Sequence, residues 1–244
     1  MYRERPARLP GAVVWTRTAE VHDGTVHPVL PDGCMDLLWN DGRLFVAGPD
    51  TRAHMPSGTA GARWTGIRFA PGAAPAVLGV PAHELRDLRA DLADLWGSAP
   101  ARAAAARIGE RDPGAGLEAV SLARAARSGP PDPLAARVVR HLVSGGTVAA
   151  AADAAGLGVR QLHRRSLDAF GYGPKTLARI LRLQRALALV RGGVPYGEAA
   201  LLAGCADQAH LAREMRALAG TTLRAYEASA KRETPMPSGS STTA

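Results

Sequence analysis

The sequence predicts an α+β chain: a β-rich N-terminal domain followed by helices, then an all-α C-terminal domain holding two helix-turn-helix motifs. Three observations predict it. Short runs of β-branched, aromatic and aliphatic residues, bounded by Pro, Gly and Asp, recur before Pro71. Trp15, Trp39, Trp64 and Trp96 all lie ahead of residue 100; large rings supply much of the burial in a β-rich core, whereas a small helical domain closes with Leu and Ala. Near the other end, Val148 to Phe170 and Tyr196 to Ala219 each read as an Ala-rich helix, a turn holding Gly, and a second helix with outward polar groups.

Taken in order, strands are expected at Ala12 to Thr18, His27 to Leu30, Cys34 to Asn40, Arg43 to Ala47 and Arg63 to Phe69. Asp41-Gly42 between two of them signals a hairpin, because a type I′ turn needs positive φ at both central residues. Beyond Pro71-Gly72 the period changes. Leu85, Leu88, Leu92 and Leu95 fall at helical spacing, with Glu84, Asp87, Asp91 and Asp94 opposite. That predicts one amphipathic helix packed on the protein's own sheet, with a dimer seam as the alternative. Residues 99–127 suggest two helices broken around Asp112 to Gly116, and the prolines at 130, 131 and 133 mark a boundary. The expected division is 1–97 a β-rich domain, 98–133 a helical linker, 134–232 a helical domain, and 233–244 a disordered tail.

Composition supports two cores: 244 residues, 46% of them hydrophobic. The net charge of +8 is uneven. Residues 1–127 hold 15 Arg against 14 acids, whereas residues 128–244 hold 13 Arg and 2 Lys against 8 acids. The positive excess therefore lies in the half with the paired motifs, as attraction to DNA phosphates requires; a solvated basic surface is the plainer reading of charge alone. Two cysteines far apart, Cys34 and Cys205, suggest no disulfide framework. His22, His27 and Cys34 lack zinc-ligand spacing, no Gly-rich phosphate loop occurs, and no metal, cofactor or catalytic residue is assigned. Without a signal-like or membrane-spanning apolar stretch, a cytoplasmic protein with no membrane partner is expected.

The stretch from about Leu134 to Tyr226 resembles the DNA-binding domain of the AraC/XylS family of transcriptional regulators. The carriers are Gly171-Tyr172-Gly173-Pro174 followed by Arg182-Leu183, Ala186 and Leu189; Gly204 to Arg213, which follows the pattern G-[FY]-x-[DS]-x-x-[HY]-[FL]-x-R; and the closing Gly220 to Tyr226. Cys205, Ser166 and Leu223 depart from the usual residues at packing positions, so they bear on core details rather than on DNA binding. The resemblance implies sequence-specific recognition of double-stranded DNA through a bipartite major-groove site. Base or phosphate contacts are expected from Arg160, Gln161, His163 and Arg164 on the first recognition helix and from Gln208, Ala209, His210 and Arg213 on the second.

The segments VLPDGCMDLLW, FVAGPDT and GIRFAPGAAPAVLGVP resemble the β-rich regulatory domain that precedes this DNA-binding domain in one branch of the family. A barrel-like form and a pocket for a small-molecule effector are implied. Asp36, Trp39, Trp64 and Arg68 are the candidate lining residues, against plain core and surface roles for each. RNA polymerase is an implied partner of an activator, and a homodimer is open. The competing reading is a metabolite-binding or enzymatic N-terminal domain whose helical partner serves assembly rather than DNA reading.

Overall fold

The computed structural model describes residues 2–18, 28–56 and 61–230. Six strands form one sheet: β1 (Tyr2–Pro6), β2 (Val13–Thr18), β3 (Met35–Asn40), β4 (Arg43–Ala47), β5 (Arg63–Phe69) and β6 (Arg89–Asp91). Their order is β1-β2-β5-β3-β4-β6, and every pairing is antiparallel. The sheet is open, with β1 and β6 as its edges, so the barrel-like expectation gives way to an open sheet. Asp41 (φ 44°) and Gly42 (φ 78°) make the β3–β4 hairpin turn in the left-handed conformation that their types tolerate.

Alternation decides which face is which. Val14, Leu37, Val46 and Ile67 are at most 3% exposed and pack against helices α1 (Ala74–Leu78), α3 (Ser98–Ala105) and α4 (Pro113–Ser128). Their neighbours in sequence point to the opposite face. A one-residue register slip would turn this apolar set to the opposite face and set the charged Asp36 and Arg68 against the helices in its place, so the register is strongly specified.

Three sequence expectations are corrected here. The leucines from Leu85 to Leu95 do not share one helix. Ala82–Leu85 is a 3-10 turn, Asp87 is left-handed at φ 59°, Arg89–Asp91 pairs with β4 as β6, and only Leu92–Trp96 (α2) is helical. Asp87 stops the helix: its carboxylate accepts the Thr51 backbone N–H and hydroxyl, tying the segment to the loop after β4. Leu88 is consequently half exposed. Within the expected strand His27 to Leu30, only Val29 pairs, through an isolated bridge to His54, and His27 lies outside the described residues. Finally, β1 and β6 carry no strand pattern in the sequence. The charged β1 is held at its far end by Arg5 and Arg8, which pair with the buried Glu118 of α4.

The second layer of the molecule is helical: α5 (Pro133–Val143), α6 (Val148–Ala154), α7 (Val159–Phe170), α8 (Pro174–Arg191), α9 (Tyr196–Ala203), α10 (Gln208–Ala219) and α11 (Leu223–Ala230). Asp132 caps α5 and Thr147 caps α6, each accepting a first-turn backbone N–H. α8 supplies the spine of a separate core, in which Leu177, Ile180, Leu183, Ala186 and Leu187 are at most 1% exposed. Leu30 from the N-terminal half joins that core, so the two halves are docked. The expected tail at 233–244 lies outside the described residues.

Candidate nucleic-acid interface and regulatory cleft

α6–α7 and α9–α10 are two copies of one arrangement on either end of α8. Both second helices have twelve residues, both end at a left-handed Gly (Gly171 and Gly220), and both bury their fourth, eighth and twelfth positions, with Leu218 buried in addition on α10. Leu162, Ser166 and Phe170 face inward on α7; Leu211, Met215 and Ala219 do so on α10. The seventh position of each helix carries an ion pair to its support: Arg165 to Asp132 at 3.1 Å, Glu214 to Arg179 at 2.9 Å. Cys205, beside the second turn, is buried in the core, and that burial pushes its thiol pKa up, which suits packing rather than reactivity.

This geometry sorts the eight candidate contact residues. Arg160, Arg164, Gln208, Ala209 and Arg213 are exposed and make no ion pair among the described residues. The other three have structural duties. The Gln161 side chain accepts the Gly158 backbone N–H at 3.1 Å, capping α7 in place of the missing Gly158 side chain. The His163 ring sits against Gly173, where an added Cβ would lie 2.6 Å from it. His210 Nδ1 accepts the Ala206 N–H at 3.2 Å, and its own backbone N–H donates to the capping Asp207 carboxylate. The sequence patterns did not distinguish free residues from these locally engaged ones, because the engagement depends on rotamers.

The sheet face opposite the helices opens on a cleft of about 310 Å³. Its walls follow from strand register. One row across the sheet runs Arg68, Asp36, Ala47, Arg89; the next runs Trp15, Gly66, Leu38, Phe45; the third pairs Tyr2 with Arg17 and Arg17 with Trp64. One end is therefore charged and the middle apolar. Gly66 is required there: an added Cβ would lie 2.4 Å from the Trp15 indole, which crosses β5 to donate Nε1–H to Asp36 at 2.9 Å. Tyr2 stacks on Trp15, and Phe45 meets Trp64 at a tilt.

Arg68 is the centre of the charged end. Only 4% exposed, it holds Nε 3.3 Å from both Asp32 and Asp36, yet that buried Nε makes no hydrogen bond. Burial alone would lower its pKa, but Asp36 and Asp32 outweigh that and raise it, so the guanidinium stays charged. Burial pushes the Asp36 carboxyl up, with Arg68 opposing. His54 at the rim is pushed down by burial and by Arg89, which itself pairs with Asp50 at 2.6 Å. Of the candidate effector residues, Asp36, Trp64 and Arg68 line this cleft. Trp39 does not: it lies on the helix-packed face, 8% exposed, in the core with Leu37 and Leu44. Trp15, Tyr2, Phe45, Arg17, Arg89 and His54 were missed.

The N-terminal half touches both motifs. His83 lies 3.3 Å from Asp168, and Arg86 donates to the Gly171 carbonyl, both at the end of α7. Ala53 N–H donates to the Leu218 carbonyl of α10 at 2.7 Å, and Gln184 of α8 donates to the Pro31 carbonyl at 2.6 Å.

Residues 151–229 match a family described as a helix-turn-helix domain, and residues 12–91 match a family described as a domain of unknown function. No curated protein matches the chain. Among solved structures it is similar to ToxT from Vibrio cholerae. The apo form of a lysine-to-alanine variant gives 10% identity over 91% of this chain and 98% of that one, TM-score 0.48. ToxT from strain O395 gives 10% over 88% and 96%, TM-score 0.47. A form of that protein with bound unsaturated fatty acid gives 11% over 88% and 94%, TM-score 0.46.

Proposed function

The C-terminal part of the chain is an AraC-type helix-turn-helix domain, and from that premise we propose that the protein is a sequence-specific transcriptional regulator that reads a two-part DNA site and is controlled by a small molecule held in its N-terminal half. The observation that carries the reading is the duplication itself: two matching recognition helices, each with outward Arg, on the two ends of one continuous helix. The 18 residues of α8 span roughly 27 Å at 1.5 Å per residue. A strut of that order suits two helices entering successive major grooves on one DNA face, about 34 Å apart.

In this reading residues 134–232 form the reading unit, and Arg164 and Arg213 each address one half of the site. Arg grips guanine O6 and N7 bidentately, and Gln208 has the chemistry to grip adenine. Gln161, His163 and His210 chiefly hold their helices in place. The sheet cleft is the sensor site, with Asp36, Trp64 and Arg68 at its polar and aromatic walls. A DNA partner places the protein's work in the cytoplasm.

The test is binding of the full-length protein to sheared genomic DNA across a salt series. A regulator of this kind binds at low salt, with log affinity falling steeply and linearly against log salt as counterions are released. Absence of binding at low salt would reject the reading in favour of a helical domain used for assembly.

A further inference from the structure

We propose that the cleft takes a flat aromatic molecule carrying a hydrogen-bond-accepting oxygen, gripped by the guanidinium of Arg68, and that Asp32 passes its occupancy to α8 and α10 through the segment Val29 to Asp32. This deepens, and rests on, the reading of the N-terminal half as a sensor.

The ligand class follows from what the cleft offers. Its volume is at the small end of ligand sites and suits a one- or two-ring molecule. Trp15, Phe45 and Trp64 supply flat apolar walls. At the charged end Arg68 and Arg89 line the cleft with one carboxylate, Asp36, which is already engaged by Trp15 and Arg68. Arg89 is paired with Asp50 behind it, and Arg17 lines the opposite end. An ammonium group would have to compete with Trp15 and Arg68 for Asp36, whereas an oxygen acceptor can meet the Arg68 guanidinium without displacing a bond. Among the described residues the Arg68 side chain makes no hydrogen bond, although both its carboxylate neighbours are 3.3 Å from Nε. A buried planar fork without hydrogen bonds is a ready partner for a carboxylate or a carbonyl.

The route outward is short. Arg68 is a wall of two spaces: the cleft, and a water-sized cavity of about 20 Å³ that Asp32, Gln184 and Tyr226 also line. Asp32 pairs with Arg68 from the far side of the cleft, and the preceding residue, Pro31, accepts from Gln184 of α8. Val29 and His54, both facing the cleft, exchange backbone bonds of 2.8 and 2.9 Å, and Ala53 beside them donates to α10. A ligand oxygen at Arg68 adds a third acceptor group around one guanidinium. Asp36 is tethered by Trp15, so the crowding acts on Asp32 and on the segment that carries it. Two positions of that segment, bound unequally by the ligand, are what coupling to DNA requires.

Four probes with one ring system test this on the full-length protein by calorimetry: indole-3-acetate, indole-3-acetamide, tryptamine and 3-methylindole. The acetate and the acetamide bind at least tenfold more tightly than the other two, and their ratio tells whether the acceptor is best charged or neutral. Arg68→Lys keeps the charge but not the fork, and reduces the preference below threefold. Gln184→Met leaves probe affinity within twofold. DNA affinity is then read by anisotropy on duplexes that the wild type selects from a random pool. The acetate or acetamide changes it at least fivefold in the wild type and less than twofold in Gln184→Met. Preference for tryptamine or 3-methylindole, or no binding by any probe at millimolar concentration, overturns the ligand class. An undiminished ligand effect in Gln184→Met overturns the route. Failure of the regulator reading is a separate result, because it appears as absent DNA binding without any probe.

Discussion

α7 and α10 have the same length, three buried positions in common and the same left-handed Gly at the end, yet they are held differently. The end of α7 is enclosed by the N-terminal half. Gly171 abuts Pro49 and the Ala82 carbonyl, and Gly72 of the β5–α1 turn abuts Phe170 and Ala135. The end of α10 meets that half through one backbone hydrogen bond, from Ala53 to Leu218. The first motif is thus clamped against the N-terminal half, while the second is positioned mainly through α8. A shift between the halves therefore acts on the spacing of the two motifs rather than on the shape of either.

The largest expected effect breaks that asymmetry directly. In Gly171→Ala the new Cβ would lie 2.5 Å from Pro49 Cγ and 3.1 Å from the Ala82 oxygen, at φ 83°. Left-handed strain plus overpacking should cost about 2–4 kcal/mol in urea unfolding of the full chain. Gly220→Ala at the matching site, φ 65° with nothing within 4 Å, should cost only about 1 kcal/mol. Equal losses would mean that the first motif is not clamped.

The two helix starts sharpen the comparison at smaller scale. Asp207 caps α10 with its own carboxylate, whereas α7 starts at Gly158 and borrows the Gln161 side chain. Asp207→Ala should cost about 1 kcal/mol, and Gln161→Ala about 0.5 kcal/mol, both by thermal unfolding. The second should also leave base preference intact, since Gln161 serves its own helix. A changed preference with unchanged stability would return Gln161 to the reading residues.

Legibility differed between the halves for physical reasons. The helical half repeats a 3.6-residue pattern punctuated by Gly and Pro, and α8 accordingly starts at Pro174 and ends at Arg191, just before Gly192. The central strands were legible because one face is buried and the other is not. β1 was not, because an edge strand tolerates the charges of YRERP and its order depends on Glu118, more than a hundred residues away. The leucines from Leu85 misled because helical spacing says nothing of Asp87, whose contact with Thr51 breaks the segment. In the cleft, Asp36 and Trp39 are three residues apart on one strand and so face opposite ways. The same period-two rule, applied to Trp15 and Arg17 or to Phe45 and Ala47, would have found the missing walls.

The central claim is that Arg164 and Arg213 each read one half of a single site. Selection of binding sites from random DNA, with the full-length wild type, Arg164→Ala and Arg213→Ala, tests it most directly. The wild type should yield a two-part motif with halves about one helical turn apart. Each variant should lose base preference in one half only, by on the order of 1–3 kcal/mol at the cognate base. Uniform weakening of all sequences, with unchanged motifs and a salt slope lowered by roughly one, would contradict the claim and make both arginines phosphate anchors.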